Sequence, residues 1–281
     1  MNQITFHIGF HKTATSWMQQ VYFSQHTELE LINNFTEPWN DPFISYLINP
    51  ELPFSKKKCA SLFSRVTKDN KQKNLVISAE RLSGHPISGG CDNIQIAERI
   101  KDCFPEARII IIKREPRSAI ESVYKQVVSE GYVGTLYQFV TTNTWKTKGP
   151  SINYFKSDIL IKTYINLFGS QKVLVLEYED FLKDKQAFIK NIDLFLQVLN
   201  KNSISKNSKI INKSLQNKRI RALRILNYFR STDIYPNPFI KFHSEFIFKL
   251  SRIFSPLFSN KRFLDNKLWN KVYPKIKSTD K

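Results

Sequence analysis

Two segments of this chain carry residue types that could hold and polarise a phosphorylated anion. The first is Gly9-Phe10-His11-Lys12-Thr13-Ala14-Thr15-Ser16-Trp17. A glycine ends an apolar run, and a lysine and a cluster of hydroxyls then open a helical period. Backbone N–H groups at a helix start point at an anion, and a lysine neutralises it. The pattern is not a Walker A loop, GxxxxGK[ST], because Lys12 follows Gly9 by three residues and the second glycine is missing. The second segment is Lys113-Arg114-Glu115-Pro116-Arg117-Ser118, running on to Ser122 and Lys125. Pro116 suits the first turn of a helix. A guanidinium such as Arg114 can grip phosphate through two parallel hydrogen bonds, and Ser118, Ser122 and Lys125 fall on one helical face. Between the two segments lies Glu80, which closes a third apolar run. Its carboxylate either pairs with Arg81, Lys113 or Arg114 or is available to a reacting proton.

These residues need a scaffold that brings strand ends together. Four short apolar runs, 4–8, 75–79, 108–113 and 172–178, read as buried parallel strands, each followed by a polar turn and a helical period. Helices are expected over 15–24, 94–103, 117–130, 154–168 and 179–199. Strands alternating with helices imply an α/β fold, a central parallel sheet flanked by helices. In such sheets ligands bind beyond the carboxyl ends of the strands, where Lys12, Glu80 and Arg114 all fall. Residues 33–60, with Pro38, Pro42, Pro50 and Pro53, read as an irregular excursion over the site, and 200–213 as a mobile loop. His7 alternates with apolar neighbours and reads as a satisfied strand histidine.

Taken together, the two segments resemble sulfotransferases that use 3′-phosphoadenosine 5′-phosphosulfate (PAPS). Gly9 to Ser16 is similar to the family's 5′-phosphosulfate loop, G-x-x-[KR]-[ST]-G-[ST]-[ST], with Ala14 where the family has glycine. Arg114 and Ser122 keep the spacing of its 3′-phosphate motif, a strand-end Arg followed by x-Pro and then Ser. The segment from Tyr154 to Asp184, ending Phe168-Gly169-x-x-Lys172-Val173 onward to Phe181, is also similar, with Glu179 and Asp180 near a helix start. The resemblance covers roughly residues 4–230 and implies a P-loop-NTPase-like sulfotransferase fold. It implies sulfuryl transfer from PAPS, leaving the diphosphate PAP, with no metal required. Gly9, Lys12, Thr13, Ala14, Thr15 and Ser16 would hold the 5′-phosphosulfate, and Arg114 and Ser122 the 3′-phosphate. Lys213 and Ser214, in a stretch like the Asn-x-Ser of bacterial members, would close over the nucleotide. Glu80 stands where many bacterial and glycan members carry a glutamate base, with His11 and His85 in reserve. A carbohydrate or glycolipid acceptor follows from that likeness. The alternative is a P-loop-type nucleotide or small-molecule kinase, which would want a second glycine and an Mg²⁺-binding acid, for which Glu177 is the candidate.

The charge is divided unevenly. Of 281 residues, 43 are Lys or Arg against 24 Asp or Glu, a net +19, yet residues 201–281 alone carry +15 and the first two hundred only +4. The chain thus divides into an α/β domain over 1–230 and a basic, helical, Phe-rich C-terminal extension over 231–281. Phe239, Phe242, Phe246, Leu250, Ile253 and Leu257 recur at three- and four-residue steps with Lys241, Lys249 and Arg252 between them. That is an amphipathic basic helix interrupted near Pro256. Its apolar stripe either packs onto the α/β core, lies peripherally on an anionic membrane, or mates with another copy. Nucleic acid is not expected as a partner, since its electrostatic binding would need no strand-end chemistry. An apolar fraction of 41% excludes disorder throughout. Cys59, Cys91 and Cys103 lack CxxC spacing and read as reduced, mostly buried thiols. With no signal-like N-terminal segment, a cytoplasmic enzyme, at most at the inner face of the membrane, is expected.

Overall fold

The computed structural model describes residues 3–32, 41–49, 53–67, 74–141, 151–199, 215–238 and 240–277. Its centre is a five-stranded, wholly parallel sheet in the order β2-β3-β1-β4-β5. The strands are β1 (Ile4–Gly9), β2 (Leu29–Leu31), β3 (Asn74–Ser78), β4 (Arg108–Lys113) and β5 (Val173–Glu177). The four expected strands are present to within a residue or two. The extra one, β2, is three residues long at the sheet edge, too short for its alternation to announce it. Because the chain runs from β1 to the far edge and returns through β3 before crossing to β4, the strand order reverses at β1. A crevice at the carboxyl end of that strand is where such sheets take ligands.

The strands read as continuous apolar runs because both faces are covered. Ile109, Ile110, Ile111 and Ile112 of β4 are all essentially inaccessible. On one face Val76, Ile110, Ile112 and Leu176 meet Trp17, Met18 and Phe23 of the helix after β1, and Phe181, Phe188 and Ile192 after β5. The helix after β1 begins as α1 (Thr15–Trp17) and widens into a π-helical turn over Met18–Phe23. After β3 come α4 (Asn93–Cys103) and, beyond β4, α5 (Pro116–Glu130), with Pro116 in its first turn as expected.

Two expectations are corrected. Residues 33–60 are not an irregular excursion where they are described. They hold α2 (Pro42–Ile48) and the start of α3 (Lys56–Val66). The prolines misled because Pro42 occupies the first helical turn, behind Asp41, whose carboxylate accepts from the Phe43 and Ile44 N–H groups at 2.9 Å each. The helix expected over 179–199 is two, α8 (Tyr178–Lys183) and α9 (Lys185–Leu196). The break is at Asp184, extended in backbone, whose side chain caps α9 by accepting from Gln186 and Ala187 at 3.0 Å each. Of the cysteines only Cys59 is buried; Cys103 is half-buried and Cys91 exposed.

The chain divides into two compact units, a different division from the one at residue 230. The first comprises 1–85, 90–115 and 156–211 and contains the whole sheet, α7 (Ser157–Phe168), α8 and α9. The second comprises 86–89, 116–155 and 212–281, and so joins α5 and α6 (Leu136–Thr141) to α10 (Asn217–Leu226), α11 (Ser244–Phe254) and α12 (Asn266–Lys277). In it Asn227, fully buried, donates to the carbonyls of Val128 at 2.7 Å and Tyr132 at 3.2 Å, fixing the end of α10 against the end of α5.

Replacing the cap that separates α8 from α9, Asp184→Ala, should destabilise the protein by about 1 kcal/mol without loss of fold. Urea unfolding followed by circular dichroism measures it, and an unchanged midpoint would show that the cap carries no stability.

Candidate active site

The loop leaving β1 is tightly constrained. Phe10 N–H donates to the Ile112 carbonyl at 3.3 Å, so the first loop residue is still tied to β4. Thr13 Oγ1 donates back to the Phe10 carbonyl at 2.6 Å. Lys12 and Ala14 both adopt left-handed backbone, φ 69° and 63°. Such conformations turn successive N–H groups to one side and form an anion-binding concavity. Ala14 therefore takes a conformation that glycine adopts freely, with a Cβ that resists it. Gly9 cannot be replaced so easily, since a Cβ there would lie 2.2 Å from Thr15 Oγ1. That hydroxyl is itself buried and has no hydrogen-bond partner among the described residues. A buried polar group in that condition costs on the order of 1–3 kcal/mol, and a phosphate oxygen seated in the loop would remove the cost. The loop therefore fits the phosphosulfate end of the expected donor.

Beyond β3 the chain enters a tight helical turn, Glu80–Ser83. Ser83 Oγ lies 2.8 Å from the Glu80 carbonyl and 3.4 Å from the Gly9 carbonyl, which ties this turn to the end of β1. Glu80 Oε2 stands 3.9 Å from His11 Nε2, and the His11 ring meets the His85 ring edge-on at 5.7 Å between centroids. The expected phosphate loop and the expected base are thus neighbours. His11 is buried, and burial, reinforced by His85, Arg81 and Lys12, pushes it down to about 3. His85 is lowered to about 4, mainly by burial and then by Arg81. Both imidazoles are neutral near pH 7, and His11 is a weak proton acceptor. The Glu80 carboxylate, 30% exposed, is the more accessible of the two.

The cations proposed to pair with Glu80 have other partners. Arg81 forms an ion pair with the buried Asp92. Lys113 lies 3.1 Å from Glu177 and 3.9 Å from Asp158. Arg114 donates to the Lys12 carbonyl at 3.0 Å and packs its guanidinium over the Tyr178 ring at 4.7 Å. Arg114 and Lys12 are 102 residues apart in sequence and joined through adjacent strand ends. Glu179 accepts from the Glu115 N–H at 3.2 Å, so the start of α8 also steadies this corner. Ser122 lies half-buried two turns into α5, in the second compact unit. Lys213 and Ser214 lie outside the described residues.

Sequence reasoning missed Tyr178, Asp92 and Ser83. Tyr178 immediately follows β5, and β5 lies beside β4 with Lys113 opposite Glu177. Strand order would have found it, but no local motif marks it. His7 proves only half satisfied: Nδ1 is 2.7 Å from Ser78 Oγ, while Nε2 is buried without a partner among the described residues, and burial lowers its pKa to about 3.

A parallel sheet with a loop of left-handed backbone at its reversal point and an arginine on the neighbouring strand end is an α/β arrangement able to receive a nucleotide phosphate. Residues 90–199 match the model of a family described as the sulfotransferase family. The matched segment spans β4, α5, β5 and α9; the loop at Lys12 and Glu80 precede it. In structure the chain is similar to a sulfotransferase from Alicyclobacillus acidocaldarius, with 18% identity, coverage of 75% of this chain and 87% of that one, and a TM-score of 0.56. It is also matched to mouse sulfotransferase SULT7A1 complexed with PAP, with 14% identity, coverage of 99% and 85%, and a TM-score of 0.46. No curated protein matches in sequence.

Two outcomes follow from this geometry. Ala14→Gly should stabilise the protein by about 0.5–1 kcal/mol, since relief of left-handed strain outweighs the added freedom of the unfolded chain. A lower unfolding midpoint would show that the loop does not strain Ala14. Acidification should destabilise the fold, because the folded-state pKa values of His7 and His11 lie far below the usual 6.5. The unfolded chain takes up protons first, so stability is lost as pH falls below about 6.5. Each of the two should cost about 2 kcal/mol between pH 7 and 5. Urea midpoints that stay constant over that range would contradict the burial of neutral histidines.

Proposed function

We propose that this protein transfers the sulfuryl group of PAPS to a hydroxyl of a carbohydrate or glycolipid. The observation that carries the reading is the joining of three strand ends: Lys12 in its left-handed loop, Arg114 bonded to the Lys12 carbonyl, and Glu80 beside His11. Bound donor supplies an activated sulfuryl group. The bond from sulfur to the acceptor oxygen forms as the bond from sulfur to the 5′-phosphate oxygen breaks. Lys12 neutralises the charge that gathers on that phosphate, and the backbone N–H groups of Thr13 to Ser16 orient it. Arg114 holds the 3′-phosphate and so separates this donor from ATP; the share of Ser122 rests on the sequence spacing alone. Glu80 takes the acceptor proton. His11, neutral and buried, packs beside Glu80 and gives its carboxylate a less aqueous surrounding on one side. A glutamate base at the end of β3 also favours a sugar hydroxyl as acceptor, as the resemblance to glycan sulfotransferases implies.

Thermal-shift measurements with 3′,5′-diphosphoadenosine, with ATP plus Mg²⁺ and with an oligonucleotide separate the readings. A selective rise with the diphosphate supports the sulfotransferase, and a rise with ATP and Mg²⁺ alone favours a kinase. With labelled PAPS and a panel of sugars and glycolipids, Lys12→Ala and Glu80→Gln should each lower turnover at least 100-fold. Arg114→Ala should raise the donor KM and, by releasing the Lys12 carbonyl that it holds, lower turnover as well. Normal turnover by Glu80→Gln would remove Glu80 as the base.

A further inference from the structure

The apolar stripe read from the C-terminal sequence is not the face that α11 buries. The buried residues of α11 are Ile247 and Ser251, and the tight turn that continues it, Ser255–Leu257, buries Ser255. The inward face is therefore narrow, one isoleucine and two serines. Phe246, Leu250, Ile253 and Leu257 recur at four-, three- and four-residue steps on another side. Of these, Phe246 is 46%, Ile253 67% and Leu257 77% exposed. Phe242, just ahead of the helix, is also exposed and holds its ring 5.6 Å from that of Phe246. Phe239 lies outside the described residues. Lys241, Lys249 and Arg252, all exposed, accompany the stripe, and Glu245 is the one acidic residue between 240 and 257.

Large apolar side chains standing in water in a contiguous stripe mark a surface that meets something. The charge decides what. A second copy would bring its own +19 against this one, with its basic extension foremost. A nucleic acid would satisfy the lysines and leave Ile253 and Leu257 in water. An anionic bilayer answers both halves, since its headgroups attract the cations and its acyl boundary takes up the apolar side chains. No helix among the described residues is long and apolar enough to cross a membrane, so the contact would lie in the interface plane.

We propose that residues 240–257 form a membrane-docking surface, with Phe242, Phe246, Ile253 and Leu257 entering the headgroup boundary of an anionic bilayer and Lys241, Lys249 and Arg252 meeting lipid phosphates. The inference is independent of donor and acceptor chemistry.

The test is flotation of the full chain with phosphatidylcholine vesicles, with and without phosphatidylglycerol, in moderate salt. The wild type should float only with the anionic vesicles. Ile253→Ser combined with Leu257→Ser leaves the charge unchanged and should weaken that binding at least tenfold. Lys249→Gln combined with Arg252→Gln should weaken it about 25-fold, near fivefold for each cation. All the altered side chains are exposed, and circular dichroism melting confirms that each variant is folded. If the serine variant floats as the wild type does, electrostatics alone is at work and the docking surface is overturned. So it is if the wild type ignores anionic vesicles, or if light scattering shows a dimer that the serine substitutions dissolve. None of these outcomes bears on whether the protein transfers sulfuryl groups.

Discussion

The hydrogen bond from Arg114 to the Lys12 carbonyl is the contact on which the site's geometry depends. Lys12 and Ala14 hold conformations that an L-residue resists by roughly 1–2 kcal/mol each, so the loop would relax without external ties. The Phe10 N–H on β4 anchors its beginning, Thr13 closes it internally, and Arg114 fixes its middle. Arg114 itself packs its guanidinium over the ring of Tyr178, just after β5. Three neighbouring strands, β1, β4 and β5, therefore determine one lysine's backbone. A parallel sheet suits this purpose because all its strands end on the same side, and their loops meet without any long connection across the site.

The site's electrostatics follow from burial as much as from formal charge. The first two hundred residues carry only +4, and near the loop the buried histidines stay neutral while two of the neighbouring carboxylates are paired with cations. Asp92 is spent on Arg81, and Glu177 faces Lys113. Lys12 sits on a backbone turned to present N–H groups. Keeping His11 unprotonated also bears on Glu80, since an imidazolium at 3.9 Å would depress the basicity of the carboxylate proposed as the base.

Much of this was legible in sequence for a physical reason. Lys12, Glu80 and Arg114 each follow an apolar run too short for a helix, and a parallel sheet forces such residues to one edge. What could not be read was set by tertiary context. β2 has three residues and borrows its definition from β3. Pro42 looked like a breaker until Asp41 made it a helix start. Asp184 divided one amphipathic period into two helices because its side chain found two free N–H groups, and nothing in the apolar spacing of Phe181, Phe188 and Ile192 records that. Tyr178 needed strand order, and strand order is a long-range fact.

The C-terminal charge shows the same limit most clearly. Counted in sequence, +15 over residues 201–281 looks like one field directed outward. In the structure Arg219, Arg221, Arg224 and Arg230 are turned inward, while Arg252 and Arg262 are exposed. Arg221 donates to the carbonyls of Ser259 at 2.8 Å and Lys261 at 2.9 Å and stacks on Phe263. Arg224 reaches the Val133 carbonyl, and Arg230 the Ser129 carbonyl at 2.6 Å, with Phe248 beneath its guanidinium. Burial lowers the pKa of Arg219, Arg221 and Arg230 from the usual arginine value. These groups satisfy carbonyls that helix ends and turns leave open, which a planar, five-donor guanidinium does better than an ammonium. The lysines 241, 249, 261, 267, 271, 275 and 277 are all exposed and make the outward field. Arg219, Arg221, Arg224 and Arg230 fasten the C-terminal segments together, while the lysines, Arg252 and the uncovered stripe of α11 face outward. Net charge cannot tell the two apart, because it counts cations without asking which donors already have acceptors.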